Sequence, residues 1–166
     1  MPLLLKLIKP KKLEIGAFRL ELLNALRTTG KVIEEEDYGA ITATWKHKPK
    51  IEVVISLTGP GPVLLIGTDD EIFGYVSEGT RPHKIKPKRP GGTLYFQRGY
   101  TAKTRANVIG SVPGGSVGPM QAAKAVKHPG TEARNFDKVI QKKREKWFKR
   151  KMEDAMKTAA KKSGWS

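Results

Sequence analysis

Apolar residues first recur at helical spacing. Leu13, Ala17, Leu20, Leu22, Leu23 and Leu26 mark one stripe, and Gly30 follows as a C-terminal stop, so an amphipathic helix is predicted over 11–29. After a polar link, 31–37, that contains Glu34-Glu35-Glu36, the period changes to two. Ile41, Ala43 and Trp45 alternate with Thr42, Thr44 and Lys46, which predicts a strand over 41–48, turned by Lys48-Pro49-Lys50 into a hairpin partner over 51–57. Gly59-Pro60-Gly61-Pro62 precedes a third apolar run, Val63-Leu64-Leu65-Ile66. Thr68-Asp69-Asp70 then turns the chain into a run of Ile72, Phe73, Tyr75 and Val76, read as a strand ending at Glu78. The simplest closed arrangement is an antiparallel meander covered by the first helix.

The second half has a different texture. Gly79 supplies the positive φ of a tight exit turn, and Pro82, Pro87 and Pro90 fix an extended backbone, so residues 79–92 read as an arm. Thr93-Leu94-Tyr95-Phe96 is a short strand signal, but Gly, Ser, Thr and Pro dominate from Arg98 to Gln121. This stretch reads as a long assembly loop, ordered by a partner. Ala122 to Lys127 reads as a brief strand ended by His128-Pro129-Gly130-Thr131. Asn135 is placed as a helix cap, and Phe136, Val139, Ile140, Trp147, Phe148, Met152, Ala155, Met156 and Ala159 mark the apolar stripe of a helix over 135–161. The expected fold is one α+β domain over 1–166. An antiparallel sheet of about four to five strands is packed by an N-terminal helix and a long C-terminal helix, with the extended arm and the long loop projecting.

Charge changes the picture. The chain carries a net +16, and residues 81–105 contain eight basic residues and no acid: Arg81, Lys84, Lys86, Lys88, Arg89, Arg98, Lys103 and Arg105. Residues 134–166 add twelve basic residues against four acids. An acid-free basic segment points to a polyanion or an acidic protein neighbour. With no cysteine, disulfides, thiolate zinc sites and thiol nucleophiles are excluded. The apolar run Leu3-Leu4-Leu5-Lys6-Leu7-Ile8 is far short of the roughly 20 residues that span a bilayer and lacks a signal-cleavage pattern. No membrane partner is therefore expected, and the chain is placed in the cytoplasm or in a particle assembled there. His47, His83 and His128 have no ligand spacing, Asp69-Asp70-Glu71 reads as a turn, and the glycine-rich segments lack the Lys-Ser/Thr ending of a phosphate loop. Neither a metal, a cofactor nor an enzymatic activity is expected.

Two punctuating motifs carry a resemblance. Glu78-Gly79-Thr80, then Pro82-His83-Lys84-Ile85-Lys86-Pro87-Lys88, then Leu94-Tyr95-Phe96 are followed by Val126-Lys127-His128-Pro129-Gly130-Thr131-Glu132-Ala133-Arg134-Asn135-Phe136. In this order they resemble the tail-completion or head–tail joining (neck, minor tail) proteins of long-tailed bacteriophages. The resemblance spans 78–136 and implies a non-enzymatic virion protein, assembled in the host cytoplasm as a six-fold or twelve-fold ring of identical subunits. Its implied neighbours are connector and tail-tube or tail-terminator proteins, with non-specific contact to genomic DNA. Gly79, Thr80, Pro82, His83, His128, Pro129, Gly130, Thr131 and Phe136 are the structural positions it singles out. Docking of the arm on an acidic neighbouring ring is the favoured role, because a lumen that gripped DNA would hinder its passage. The rival reading, a cellular nucleic-acid-binding protein, needs only the basic arm and basic last helix.

Overall fold

The computed structural model describes residues 14–56 and 61–165. Part of the first predicted helix (11–13), Leu57 at the end of the predicted hairpin strand, Gly59-Pro60 of the Gly-Pro link and the run Leu3 to Ile8 lie outside them. Among the described residues, no helix is long and apolar enough to cross a membrane.

The first half is more helical than its alternation predicts. Helix α1 (Ile15–Val32) continues through a π-helical stretch (Ile33–Tyr38) into α2 (Gly39–Thr42), with helical backbone at each joint. Gly30, predicted as the stop, lies inside α1 because it serves packing: a Cβ there would stand 2.5 Å from Val53 Cγ1. The predicted strand over 41–48 is replaced by α2 and a turn. Ile33, Asp37, Tyr38, Ile41 and Thr42 are the buried positions, a helical spacing that outweighs the short alternation.

β1 (Glu52–Ser56) and β2 (Val63–Gly67) form an antiparallel hairpin with Val54 opposite Leu65. The predicted strand over 72–76 is also a helix, α3 (Glu71–Glu78). Asp70 caps it, accepting from Phe73 N at 2.8 Å, and satisfies a donor that a helix start otherwise leaves orphaned. Phe73 and Ser77, one turn apart, face inward, while Ile72 and Tyr75 stay exposed. The long C-terminal helix α4 (Phe136–Lys162) runs antiparallel to α1, with ion pairs joining Lys162 to Glu21 at one end and Arg144 to Asp37 at the other. Ile33, Tyr38, Ile41, Phe73, Phe136 and Ile140 form the buried cluster. Phe73 is its hub, with ring centroids 5.7 Å from Tyr38, 6.0 Å from Trp45 and 5.4 Å from Phe136.

Between α3 and α4 the chain makes one antiparallel ribbon rather than an arm and a separate loop. β3 (His83–Ile85) pairs with β8 (Val126–His128), β4 (Leu94–Gln97) with β7 (Met120–Ala123), and β5 (Tyr100–Thr101) with β6 (Gly115–Ser116). In place of one sheet of four to five strands there are four two-stranded sheets among the described residues. The segment 98–121, predicted as a loop without secondary structure, contains β5, β6 and the first half of β7. A straight ribbon from Thr131 to Gly115 would extend about 50 Å at about 3.3 Å per residue. Yet Asn107, six residues beyond Thr101, donates its N–H to Arg134 O at 3.2 Å, and six residues reach at most about 20 Å. The ribbon therefore bends, returning its tip to the core, where Ile109 packs and Thr104 is buried.

Candidate functional site

The root of the ribbon is written in the sequence as a mirror. Thr80-Arg81-Pro82-His83 leaves the core and His128-Pro129-Gly130-Thr131 returns to it. Antiparallel pairing sets Thr80 against Thr131 and His83 against His128. Thr80 N donates to Thr131 O at 2.9 Å and Thr131 N to Thr80 O at 3.0 Å, while the two imidazoles stack with centroids 5.0 Å apart. Each ring is also tied locally: His83 Nδ1 lies 2.8 Å from Arg81 O, and His128 Nδ1 accepts from Gly130 N at 3.1 Å. Both glycines have positive φ, 78° at Gly79 and 92° at Gly130. A Cβ on Gly79 would come within 2.6 Å of Thr131 O and 2.8 Å of Ala133 N, and one on Gly130 would overlap Thr80 O. Close backbone crossing requires glycine at both places.

The same junction starts α4. Asn135 occupies the cap position with φ 54° but makes no side-chain cap bond. Its predicted task falls to α3: Ser77 Oγ accepts from Phe136 N at 3.2 Å, and Ser77 O accepts from Arg134 N and Asn135 N at 2.9 and 2.8 Å. Phe136 follows directly into the core at 0% exposure. The predicted structural positions are thus one construction that fixes α3, the ribbon and α4 together.

The eight predicted basic residues are distributed along this ribbon. Arg81 and Lys84 lie at its root, Lys86, Lys88 and Arg89 on an excursion, and Arg98 beside a bulge where two residues, 98–99, face three, 117–119. Arg105 is exposed in the tip, and half-buried Lys103 donates to Thr44 O at 2.8 Å. The excursion, Lys86 to Thr93, places eight residues opposite only Lys124 and Ala125. It closes in a turn in which Gly92 N donates to Arg89 O at 3.0 Å and Gly91 has φ 75°, the type II geometry for which Pro90-Gly91 is suited. Lys124 and Lys127, on the return strand, belong to the same acid-free run, which extends from Gly79 to Thr131, but the basic segment read from the sequence, 81–105, stops short of them. The mirrored Thr-x-Pro-His motif is the signal that both strands belong together.

On the helical side of the molecule, one group of charges is paired internally around Asp37. Asp37, at 0% exposure, receives Lys143 Nζ at 2.7 Å and Arg144 Nε at 2.6 Å. Arg144 also reaches Glu36 at 2.7 Å and lies over Trp147 at 5.1 Å; the bond to Asp37 holds its guanidinium above the ordinary value. Burial, and then Asp137, which accepts from its hydroxyl at 2.9 Å, push the Tyr38 phenol up. Tyr38, Asp137 and Arg144 line a groove of about 540 Å³ between β2 and α4, walled by Ile33, Leu64, Ile66, Ile140 and Phe148. His47 pairs with Asp70, whose carboxyl is held below the usual range by that bond and by Phe73 N–H. Asp70 is thus a helix cap rather than the strand turn predicted. Comparison with family models, curated proteins and solved structures finds no match.

Proposed function

We propose that this chain is a structural subunit of a long-tailed bacteriophage virion, forming a ring at the neck or upper tail that joins or completes the tail, without enzymatic activity. The observation that carries the reading is the ribbon root. The motifs behind the resemblance, about 50 residues apart, meet in one junction from which a bent two-stranded ribbon leaves the core. Ribbons of this kind suit contact between subunits, because both outer strand edges offer backbone donors and acceptors. The ribbon also exposes Tyr95, Tyr100, Val117 and Met120 at 62 to 89%, large apolar groups that a monomer gains nothing by displaying. The β1–β2 hairpin likewise exposes Val54, Val63 and Leu65. Two different patches meeting head to tail close into a ring when the rotation per subunit allows it.

The acid-free ribbon equally favours the second reading, a cellular nucleic-acid-binding protein. Negative-stain imaging with mass measurement on the purified chain separates them. Closed rings or stacked tubes support the virion role; monomers at every concentration, with or without DNA, overturn it.

A further inference from the structure

The ribbon as a structural unit, Thr80 to Thr131, contains ten Lys or Arg and no Asp or Glu. It thus holds +10 of the chain's +16, and the remainder has twenty-two basic against sixteen acidic residues. Two of the ten are spent on neutral acceptors: Lys103 on Thr44 O, and Lys124 on Gly91 O at 2.9 Å and Thr93 Oγ1 at 3.2 Å. The other eight are exposed, and none forms an ion pair among the described residues. On α4, Lys143, Arg144 and Lys162 are paired with carboxylates and eight further basic residues are not, but that helix, unlike the ribbon, also carries four acids of its own, Asp137, Glu145, Glu153 and Asp154.

Six of the eight gather at the root and excursion: Arg81, Lys84, Lys86, Lys88, Arg89 and Lys127. Lys84 stands directly opposite Lys127, a like-charge cross-strand pair that costs the isolated fold stability. The scaffold beneath them is stiff. Pro87 and Pro90 restrict the excursion, its turn is closed by the Gly92 to Arg89 bond, and Lys124 clamps its carbonyls from the opposite strand. A backbone held in advance loses little freedom on binding.

The balance of charge favours a polyanionic partner. A second copy of this chain carries net positive charge outside its ribbon as well as on it, so self-association leaves an excess of positive charge. A phosphodiester backbone can neutralise it, since duplex DNA presents one negative charge per about 1.7 Å of axis. We infer that the ribbon root and its excursion bind the phosphate backbone of nucleic acid, independently of sequence. Between Arg81 and Pro90 there is no Asn, Gln, Asp or Glu to read adenine or cytosine edges, which leaves cations whose attraction to phosphate is independent of sequence. Backbone contacts of this type exchange readily and let a protein slide along DNA, which removes the conflict with passage of a genome. The inference rests on the ribbon being the contact element of the proposed role and does not need the ring.

The test is fluorescence anisotropy of the full chain with a short random-sequence duplex and with the corresponding single strand, across a salt series. The variant Lys84→Gln, Lys86→Gln, Lys88→Gln, Arg89→Gln is compared with Lys142→Gln, Lys146→Gln, Arg150→Gln, Lys157→Gln on α4. The second variant removes the same charge from exposed positions of a different element. All eight substituted side chains are exposed, so both variants are expected to melt with the wild type, and melting is recorded alongside. The ribbon variant is expected to weaken binding and flatten the salt slope by about 0.9 for each duplex phosphate it no longer neutralises, or about 0.7 on a single strand. The α4 variant is expected to remain near wild type, and the slope ratio tells which strand state is preferred. Equal weakening by both variants, or no binding by the wild type at low salt, overturns the inference. Imaging the same ribbon variant separates the two readings: rings that persist while DNA affinity falls support both. Loss of rings with DNA affinity intact assigns the charges to a protein partner and overturns the inference alone.

Discussion

Gly79→Ala tests the ribbon root, and its cost can be worked from the geometry. At φ 78°, ψ 172° the residue occupies a region essentially reserved for glycine, and holding alanine there costs about 1 to 3 kcal/mol. The new Cβ would also press on Thr131 O at 2.6 Å and Ala133 N at 2.8 Å, both backbone atoms that cannot rotate away. Moving them lengthens the reciprocal Thr80–Thr131 pair of 2.9 and 3.0 Å, worth about 1 kcal/mol per bond. The total is about 3 to 5 kcal/mol, or a fall in Tm of about 10 to 15 °C for a chain of this size. Gly91→Ala is the matched control: its φ is 75°, but nothing lies within 4 Å of the added Cβ, so only the strain of about 1 kcal/mol remains. Thermal melting followed by circular dichroism compares them. Equal shifts in the two variants would refute the idea that close backbone crossing, rather than φ alone, demands Gly79.

Three further outcomes are expected. Phe136→Ala, at 0% exposure against Phe73, should cost about 3 to 5 kcal/mol by chemical denaturation; an unchanged midpoint would move Phe136 out of the core. Arg144→Met leaves buried Asp37 with Lys143 alone and should destabilise by about 3 kcal/mol, with Asp37→Asn in the same background recovering part of the loss; no recovery would show that Arg144 acts by packing on Trp147. Because the Asp70 carboxyl is held below its ordinary range, its contribution is present above about pH 4 and disappears as the pH falls through the folded value. Stability profiles of wild type and Asp70→Asn should therefore converge in acid, and a constant offset across that window would contradict the assignment.

The two long helices are legible in the sequence because their apolar stripes span many turns, and Gly79 and Gly130 are legible as turns because each punctuates a change in texture. Tertiary packing overrides local pattern elsewhere. Gly30 reads as a stop until Val53 is known to fill the space above it. Ile72-Phe73-Gly74-Tyr75-Val76 has strand composition, and the Asp70 cap decides for helix. The ribbon is hidden for a different reason: its paired segments are two to four residues long and separated by up to about 50 positions, so no local window contains both partners. Glycine and proline between Arg98 and Gln121 read as a long loop ordered by a partner, whereas here they make a bulge and bends. Ser77 capping α4 in place of Asn135 is likewise a contact across 59 positions.

The central claim is that the ribbon is the element through which identical subunits meet. Val117, the most exposed of the large apolar residues at 89%, sits on its bulge, and the chain contains no cysteine. A single Val117→Cys variant can therefore be labelled at one place with a bulky maleimide and imaged beside the unlabelled variant. The account predicts rings from the unlabelled chain and only monomers, folded to the same melting temperature, from the labelled one. Labelled subunits that assemble into the same rings would contradict it.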